Sequence, residues 1–288
     1  MQQTLRPHSA DSPPYLEVGG EGPLLHFSHA NGYPPMAYRA FLQPFTKTNQ
    51  VIASLHRPLW TPTPSPESLL SWQVFGEDLI KLADEREQPL ISIGHSMGSV
   101  AILIAAAKRP DLFQSIVLIE PVLVPRRFLL ALRFFGRFAK NRIPLVKRTL
   151  LRVDSWSNKQ EAFEHFRPKH VFKDISDEVM WDYINHGVED VDDGSVRLTY
   201  SKEWEARCYT LVHNLWQLLP QISVPVLAIR GQQSNTIFPA AWNKWRSISP
   251  QHDFMDVDNA GHLVPFEKPD YLASEIQDWL NRDAAMGE

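Results

Sequence analysis

Short apolar runs recur along the chain, and each is bounded by glycine, proline or polar residues. They are Leu24–Ser28, Val51–Leu55, Leu90–Ile93, Ser115–Ile119, Val224–Ile229 and, more weakly, Phe254–Val257. Runs that stay apolar at consecutive positions are typical of parallel strands that other elements cover on both faces. The pattern therefore predicts a mostly parallel central sheet.

Segments with a helical period lie between these runs. In Ser68–Arg86 the apolar residues recur at every third or fourth position, whereas Ser99–Lys108 is apolar nearly all round. The first pattern predicts an amphipathic helix, and the second predicts a helix buried against the sheet. Pro269–Leu280 predicts a closing amphipathic helix. Strands that alternate with helices favour an α/β fold with helices on both faces of the sheet.

This alternation breaks once, because no core strand is evident between Ile119 and Val224. The helical candidates in that region are Arg126–Lys140, Lys159–His165, Ser176–Gly187 and Lys202–Leu219. We therefore expect a core domain formed by residues 1–120 and 211–288. Residues 121–210 are expected to form a helical cap, or lid, inserted into that domain.

Composition adds limits to this picture. A chain of 288 residues is long enough for one large α/β domain with an insertion, and its formal net charge of −4 gives no reason to expect nucleic acid as a partner. Cys208 is the single cysteine, which suits a reducing compartment. Residues 1–11 do not resemble a signal peptide, and no apolar run is long enough for a transmembrane helix. We expect a cytoplasmic protein that uses no metal and no cofactor.

One motif carries candidate chemistry. Gly94-His95-Ser96-Met97-Gly98 directly follows a predicted strand and leads into the predicted buried helix. The pattern G-x-S-x-G in this context predicts a serine on a sharp, strained turn, where only small neighbours let the chain bend. Such a turn lifts the hydroxyl to the carboxyl edge of the sheet, where open α/β folds bind ligands. The alternative is an accidental Gly-Ser turn, which the flanking strand and helix disfavour.

On these residues the chain resembles the α/β-hydrolase family over roughly residues 15–282. The likeness rests on the Gly94–Gly98 motif, on the loop His29–Pro34 and on the dipeptide Gly261-His262 near the C-terminus. It implies a triad whose members follow one another along the chain as serine, acid and histidine. Ser96 is then the nucleophile of a serine hydrolase.

The resemblance also assigns an oxyanion hole. The family's loop that corresponds to His29–Pro34 supplies one N–H donor, and here Ala30 replaces its usual glycine. The two donors are then the backbone N–H groups of Asn31 and Met97, which stabilise charge that develops in the transition state. His29 either takes a direct part in catalysis or is a packed turn residue with a structural hydrogen bond.

His262 is the candidate general base. It follows the last predicted strand, and Pro265 and the closing helix come after it, as in the family's histidine loop. In a serine hydrolase the imidazole takes the hydroxyl proton during attack and returns it to the leaving group. The chain has eleven histidines, so position rather than residue type singles out His262.

The acid departs from the family pattern. Most members carry an aspartate after the strand that corresponds to Val224–Ile229, but this chain has Asn235 in that loop. An amide cannot stabilise an imidazolium as a carboxylate does. Glu120 ends the preceding core strand, from which one subgroup of haloalkane dehalogenases draws its acid. We expect Glu120 to complete the triad; Asp256 and Asp258 are weaker candidates, and the alternative is that Glu120 binds only backbone groups or the inserted region.

The inserted region begins with an unusually basic stretch. Residues 121–153 contain no Asp or Glu but hold nine basic residues: Arg126, Arg127, Arg133, Arg137, Lys140, Arg142, Lys147, Arg148 and Arg152. A basic amphipathic helix can lie on an anionic membrane, so a weak membrane contact through residues 126–152 is one interpretation. The favoured alternative is a cap helix whose apolar face covers the active site.

The expected substrate is a small or medium hydrophobic ester. The side chains assigned to its pocket are His29, Tyr33, His95, Trp156, Trp181 and Trp204. Alternatively, the tryptophans form only the core of a small cap. The leading hypothesis is carboxylic ester hydrolysis through an acyl-enzyme. The rivals are C–C bond hydrolysis, lactone opening or perhydrolysis on the same triad, and a catalytically weak ligand-binding protein, which Asn235 supports.

Overall fold

The computed structural model describes residues 4–7, 12–124, 143–211 and 213–287. The strands are β1 (Thr4–Arg6), β2 (Tyr15–Gly19), β3 (Leu24–Ser28), β4 (Gln50–Ser54), β5 (Leu90–His95), β6 (Phe113–Ile119), β7 (Ser155–Trp156), β8 (Val188–Asp190), β9 (Val196–Leu198), β10 (Val226–Gly231) and β11 (Asp253–Val257). A large sheet has the order β1-β2-β4-β3-β5-β6-β10-β11, and a small one has the order β7-β9-β8.

The large sheet is mostly parallel, as predicted. Strands β4, β3, β5, β6, β10 and β11 pair in parallel, and β1 and β2 form an antiparallel edge. Parallel strands bring their carboxyl ends to the same edge of a sheet. The residues that follow β3, β5, β6, β10 and β11 therefore meet there.

Helices cover both faces of this sheet. They are α1 (Arg39–Leu42), α2 (Gln73–Asp84), α3 (Met97–Lys108), α4 (Pro144–Leu150), α5 (Lys159–Phe166), α6 (Asp177–Gly187), α7 (Lys202–Tyr209), α8 (Pro239–Ile248), α9 (Val264–Glu267) and α10 (Pro269–Gly287). Short 3-10 helices occur at Pro35–Tyr38, Gln43–Lys47, Arg57–Leu59, Pro66–Ser68, Pro110–Leu112, His170–Phe172, Leu215–Gln217 and Leu219–Gln221.

The sheet separates two hydrophobic cores. Val117 and Ile119 of β6 pack into the core that contains residues of α1 and α10. Ile116 and Leu118 point the other way, into the core that contains residues of α2, α3 and α8. Alternate residues of a strand face opposite sides, so burial on both faces explains why these strands are apolar at consecutive positions.

The region between β6 and β10 contains more than helices. Helices α5 and α6 begin and end within one or two residues of the predicted segments, but the three short strands β7, β8 and β9 were not predicted. The prediction of one helix over Lys202–Leu219 was too long, because α7 ends at Tyr209 and only 3-10 turns follow. The Asn214 side chain accepts a hydrogen bond from Trp216 N at 3.3 Å, and such local bonds compete with a helix.

Two predictions about this region fall wholly or largely outside the described residues. The predicted helix Arg126–Lys140 and most of the basic stretch 126–152 lie outside the described residues. Within the four described ranges, no helix has the length and apolar character that a membrane crossing requires.

A close backbone contact at the start of α3 can be tested by substitution. A Cβ atom on Gly98 would lie 2.0 Å from the carbonyl oxygen of Ser28, which cannot move without displacing β3. We therefore expect Gly98→Ala to lower the free energy of unfolding by about 2 kcal/mol or more, measured by urea denaturation.

Gly187→Ala is the matched control, because a Cβ there would meet no atom closer than 3.5 Å. This control should unfold with nearly the wild-type free energy, within about 1 kcal/mol. A Gly98→Ala variant as stable as the control would contradict the contact.

Candidate active site

Ser96 lies on a strained turn between β5 and α3. Its φ of 54° and ψ of −112° are unusual for a residue with a side chain, and it is 7% exposed. Its N–H donates to Ile119 O at 2.9 Å, which fixes the turn to the end of β6. A Cβ atom on Gly94 would lie 2.6 Å from Ser99 N, so the turn needs its glycines. The predicted elbow is therefore present in its geometry.

His262 bridges Ser96 and Glu120. Its Nε2 lies 3.1 Å from Ser96 Oγ, and its Nδ1 lies 3.1 Å from Glu120 Oε2. The three side chains come from the ends of β5, β6 and β11, where the parallel sheet brings the strand ends together. In this arrangement Nδ1–H donates to the carboxylate, which leaves Nε2 free to accept the serine proton.

Glu120 is fully buried, and hydrogen-bond donors surround its carboxylate. Besides His262, Gly231 N donates to Oε1 at 2.7 Å and Ser234 Oγ donates to Oε2 at 2.5 Å. The backbone at Glu120 has a φ of 52°, and its N–H donates to Ile229 O at 2.9 Å. A buried charge is unfavourable unless such donors compensate it. The loop after β10 therefore supplies donors to a carboxylate that comes from β6.

The other candidates for the acid are placed elsewhere. Asn235 is exposed, and its side-chain oxygen accepts from Thr236 Oγ1 at 3.5 Å. Asp256 accepts from Trp242 Nε1 at 3.1 Å and pairs with two arginines. The exposed side chain of Asp258 has no contact with His262 among the hydrogen bonds of the described residues. Ser234, which sequence reasoning missed, occupies the position beside Glu120 instead.

The loop after β3 approaches the elbow closely. The carbonyl oxygens of Ser28 and His29 would lie 2.0 and 2.9 Å from a Cβ on Gly98, so only glycine fits there. Met97 is the first residue of α3, and the first N–H groups of a helix have no intrahelical acceptor. This contact brings the loop that carries Asn31 against the helix end that carries the Met97 N–H.

The Asn31 side chain is held away from solvent by the inserted region. Its Oδ1 accepts from Tyr200 OH at 2.8 Å, and its Nδ2 donates to Glu205 O at 3.2 Å. Asn31 is 7% exposed. Both side-chain groups are therefore used for anchoring, and only the backbone N–H of Asn31 is available as an oxyanion donor.

His29 packs beside His56 beneath this loop. His29 Nδ1 donates to Ala30 O at 2.8 Å, and His29 Nε2 accepts from His56 N at 3.2 Å. Burial lowers the pKa of His29 to about 4, so the ring stays neutral and keeps these two bonds. With both ring nitrogens occupied and no exposed surface, His29 fits a structural role better than a place in the pocket wall.

His95 and Tyr38 connect three loops of the site. The Ala30 N–H donates to the Tyr38 oxygen at 3.2 Å, Tyr38 OH donates to His95 Nδ1 at 2.8 Å, and His95 Nε2–H donates to His262 O at 2.8 Å. Burial and the neighbouring His262 push the pKa of His95 well below its ordinary value. A neutral imidazole that donates from one nitrogen accepts at the other. His95 therefore donates to His262 O and accepts from Tyr38 OH.

The remaining candidate pocket residues lie at different depths. Tyr33 packs against Tyr183 and Phe266, with ring centroids 5.3 Å apart in both cases. Trp181 stacks on Phe163 at 4.6 Å, and the buried Trp204 donates through Nε1 to Pro64 O at 2.8 Å. Trp156 is 5% exposed and packs against Phe166. Among the described residues, the ring contacts and hydrogen bonds of these tryptophans join them to the inserted region or to the loop that carries Pro64, and none of these contacts involves a triad side chain.

Comparisons with known proteins agree with this architecture. A sequence profile of the α/β-hydrolase fold matches residues 86–269. Abhydrolase domain-containing protein ACTT2-1 of Alternaria alternata is 23% identical over 237 residues, which cover 69% of this chain and 86% of the relative. This relative is similar to the chain in sequence, and two solved structures are similar to it in fold.

Two solved structures superpose over almost the whole chain. E-2-(acetamidomethylene)succinate hydrolase has a TM-score of 0.78 at 22% identity, with 93% of this chain and 94% of that one covered. A Mycobacterium tuberculosis esterase has a TM-score of 0.73 at 17% identity, with 98% and 93% covered. The fold, the matched profile and the strand order agree, and the chain belongs to the α/β-hydrolase fold family.

Proposed function

We propose that the protein is a serine hydrolase that cleaves carboxylic esters through an acyl-enzyme intermediate. The observation that carries the proposal is the hydrogen-bonded line from Ser96 through His262 to the buried Glu120. Membership of the hydrolase family supports the reaction class, and esterases among the structural neighbours agree with it.

The geometry supports a two-stage reaction. Ser96 Oγ attacks the ester carbonyl carbon while His262 Nε2 takes the hydroxyl proton, and the N–H groups of Asn31 and Met97 stabilise the oxyanion. The C–O bond to the alcohol then breaks, and His262 protonates the departing oxygen. Water attacks the acyl-serine, gives its proton to His262, and the carboxylic acid leaves as the proton returns to Ser96. Glu120 stabilises the imidazolium in both stages.

The role of residues 121–210 as a cap domain also belongs to this proposal. Its support is that Tyr200 and Glu205 bind the side chain of Asn31, so the inserted region lies over the oxyanion loop. A covered site suits a small or medium hydrophobic ester with Tyr33 in its pocket. A cytoplasmic location and a membrane contact of the basic stretch remain predictions from the sequence.

The rival interpretation as a weak ligand-binding protein loses its main support. That support was Asn235 in the usual position of the acid, but a carboxylate from Glu120 contacts His262 instead. C–C bond hydrolysis, lactone opening and perhydrolysis use the same triad and are separated from ester hydrolysis by substrate panels.

The first prediction concerns Ser96. Wild type should hydrolyse p-nitrophenyl esters and should be labelled at Ser96 by a fluorophosphonate, because His262 activates the hydroxyl. Ser96→Ala should lose both properties while it keeps its fold by circular dichroism. Ser247→Ala is the matched control, since Ser247 is exposed on α8. An unlabelled, folded wild type would exclude a serine hydrolase.

The second prediction separates Glu120 from Asn235. Glu120→Gln should lower kcat by about three to four orders of magnitude, because a neutral amide no longer stabilises the imidazolium. Asn235→Ala should leave kcat within about twofold, since its side chain is exposed and its hydrogen bond goes to Thr236. The kcat values of both variants are measured by steady-state kinetics on one p-nitrophenyl ester. The reverse order of effects would remove Glu120 from the triad.

The third prediction tests the bonds that hold the His262 loop. Tyr38→Phe removes the donor to His95 and the acceptor for Ala30, so the backbone of His262 loses part of its support. We expect kcat to fall about tenfold while KM changes little, because positioning errors of this kind act on the reacting geometry. Tyr271→Phe is the control, because its ring is 48% exposed. Equal kinetics for both variants would refute the positioning role.

A further inference from the structure

We propose that the preferred substrates are esters that carry a carboxylate, and that Arg152 binds this carboxylate beside the oxyanion loop. The inference rests on the proposed ester hydrolysis, and it replaces the hydrophobic ester expected above with a small or medium ester that also carries a negative charge. The family and the triad do not determine the substrate, and this inference adds a preference for negatively charged esters.

Arg152 is linked through Glu205 to the loop that carries Asn31. Its guanidinium forms an ion pair with Glu205. The Glu205 carboxylate touches Gly32, where a Cβ atom would lie 2.8 Å from Oε2, and the Glu205 carbonyl accepts from Asn31 Nδ2 at 3.2 Å. Glu205 therefore contacts Asn31 through its backbone carbonyl and Gly32 through its carboxylate, and Arg152 pairs with that carboxylate. A group bound to Arg152 would be within a short chain of a carbonyl at the Asn31 N–H.

Arg152 also has an unused donor. Its Nε is buried and has no hydrogen-bond acceptor among the described residues, and the same holds for Trp156 Nε1 four positions along the chain. Buried polar groups are normally hydrogen-bonded, and the described residues supply no acceptor for this nitrogen, so we assign the substrate carboxylate to it. The Arg152 side chain is 22% exposed, which leaves it within reach of a ligand.

The local charges favour an anion. Lys169 has no carboxylate partner within the described ranges, and its Nζ lies 4.0 Å above the ring of Phe166. Burial and repulsion from Arg152 lower the pKa of Lys169 to about 8. Glu205 is the one carboxylate that interacts with Arg152 in the described structure, and burial raises its pKa.

The neighbouring sequence supplies no negative charge that could balance Arg152 and Lys169. Residues 121–153, which include the part outside the described ranges, contain no Asp or Glu. Among anionic groups, a carboxylate matches the planar fork of a guanidinium and accepts from two of its nitrogens at once. The rival interpretation is that Arg152 and Glu205 only clamp the inserted region onto the loop below it.

The experiment compares pairs of esters that differ in one carboxylate. On the acyl side, mono-p-nitrophenyl glutarate is compared with p-nitrophenyl pentanoate, and on the alcohol side 4-acetoxybutanoate is compared with pentyl acetate by pH-stat. Wild type should show a higher kcat/KM for the anionic member of at least one pair. The Ser96→Ala variant corrects for background hydrolysis.

Variants of the ion pair separate binding from clamping. Arg152→Met should lower kcat/KM for the anionic ester about ten- to hundredfold and change the neutral ester less than about threefold, because a charge-assisted hydrogen bond is lost. Arg152→Lys should be intermediate. Glu205→Gln should raise the preference for the anionic ester, since it removes the competing carboxylate. Arg197→Met is the control, because Arg197 is a surface residue paired with Glu189.

The possible outcomes test the carboxylate site separately from ester hydrolysis. Hydrolysis of neutral esters with no charge preference in either pair would overturn the carboxylate site and leave ester hydrolysis intact. Equal losses for both members of a pair in the Arg152 and Glu205 variants would assign the ion pair to clamping. Failure to hydrolyse any ester, with Ser96 unlabelled by a fluorophosphonate, would overturn both proposals.

Discussion

A buried carboxylate is the constraint on which the site depends. Glu120 has no exposed surface, and a charge in that position is unfavourable unless donors surround it. The donors come from Gly231, Ser234 and His262, which lie on two different loops. Because one side chain draws both loops to the end of β6, the same contacts that compensate the charge also orient the imidazole toward Ser96.

A second constraint is the close approach of backbone segments beneath the nucleophile. Gly98 lies against the carbonyl of Ser28, and Ser96 N–H donates to Ile119 O at 2.9 Å. Strands β3, β5 and β6 are neighbours in the sheet, so their ends can be joined by backbone contacts rather than by flexible side chains. The bonds through Tyr38 and His95 then connect this rigid base to the histidine loop. Preorganised donors of this kind are what transition-state stabilisation requires.

The sequence predicted those parts of the molecule that local pattern controls. The strand predictions agree with the structure to within two residues at each end, because consecutive apolar positions reflect burial on both faces of the sheet. Five strands of the described structure were missed. β1, β7, β8 and β9 have two or three residues each, too few to show a period, and β2 is a half-buried edge strand without a continuous apolar run. Glu120 was recognisable because an acidic residue directly after an apolar strand needs a partner.

Contacts between distant residues were beyond the reach of the sequence. Ser234 carries no signal of its own, since a serine in a polar loop is ordinary until Glu120 is placed beside it. Tyr38 and His95 are 57 positions apart, and their bond is visible only once the loops after β3 and β5 meet. Arg152 and Glu205 were hidden in the same way, because an ion pair across an inserted region has no fixed spacing.

The most direct test of the account is a crystal structure of the enzyme after reaction with a p-nitrophenyl phosphonate. The account predicts a phosphorus bonded to Ser96 Oγ, with one phosphonyl oxygen about 2.7–3.1 Å from the backbone nitrogens of both Asn31 and Met97. It also predicts that Glu120 keeps its hydrogen bond to His262 in the adduct. An adduct on another residue, or a phosphonyl oxygen that contacts neither nitrogen, would contradict the proposed reaction centre.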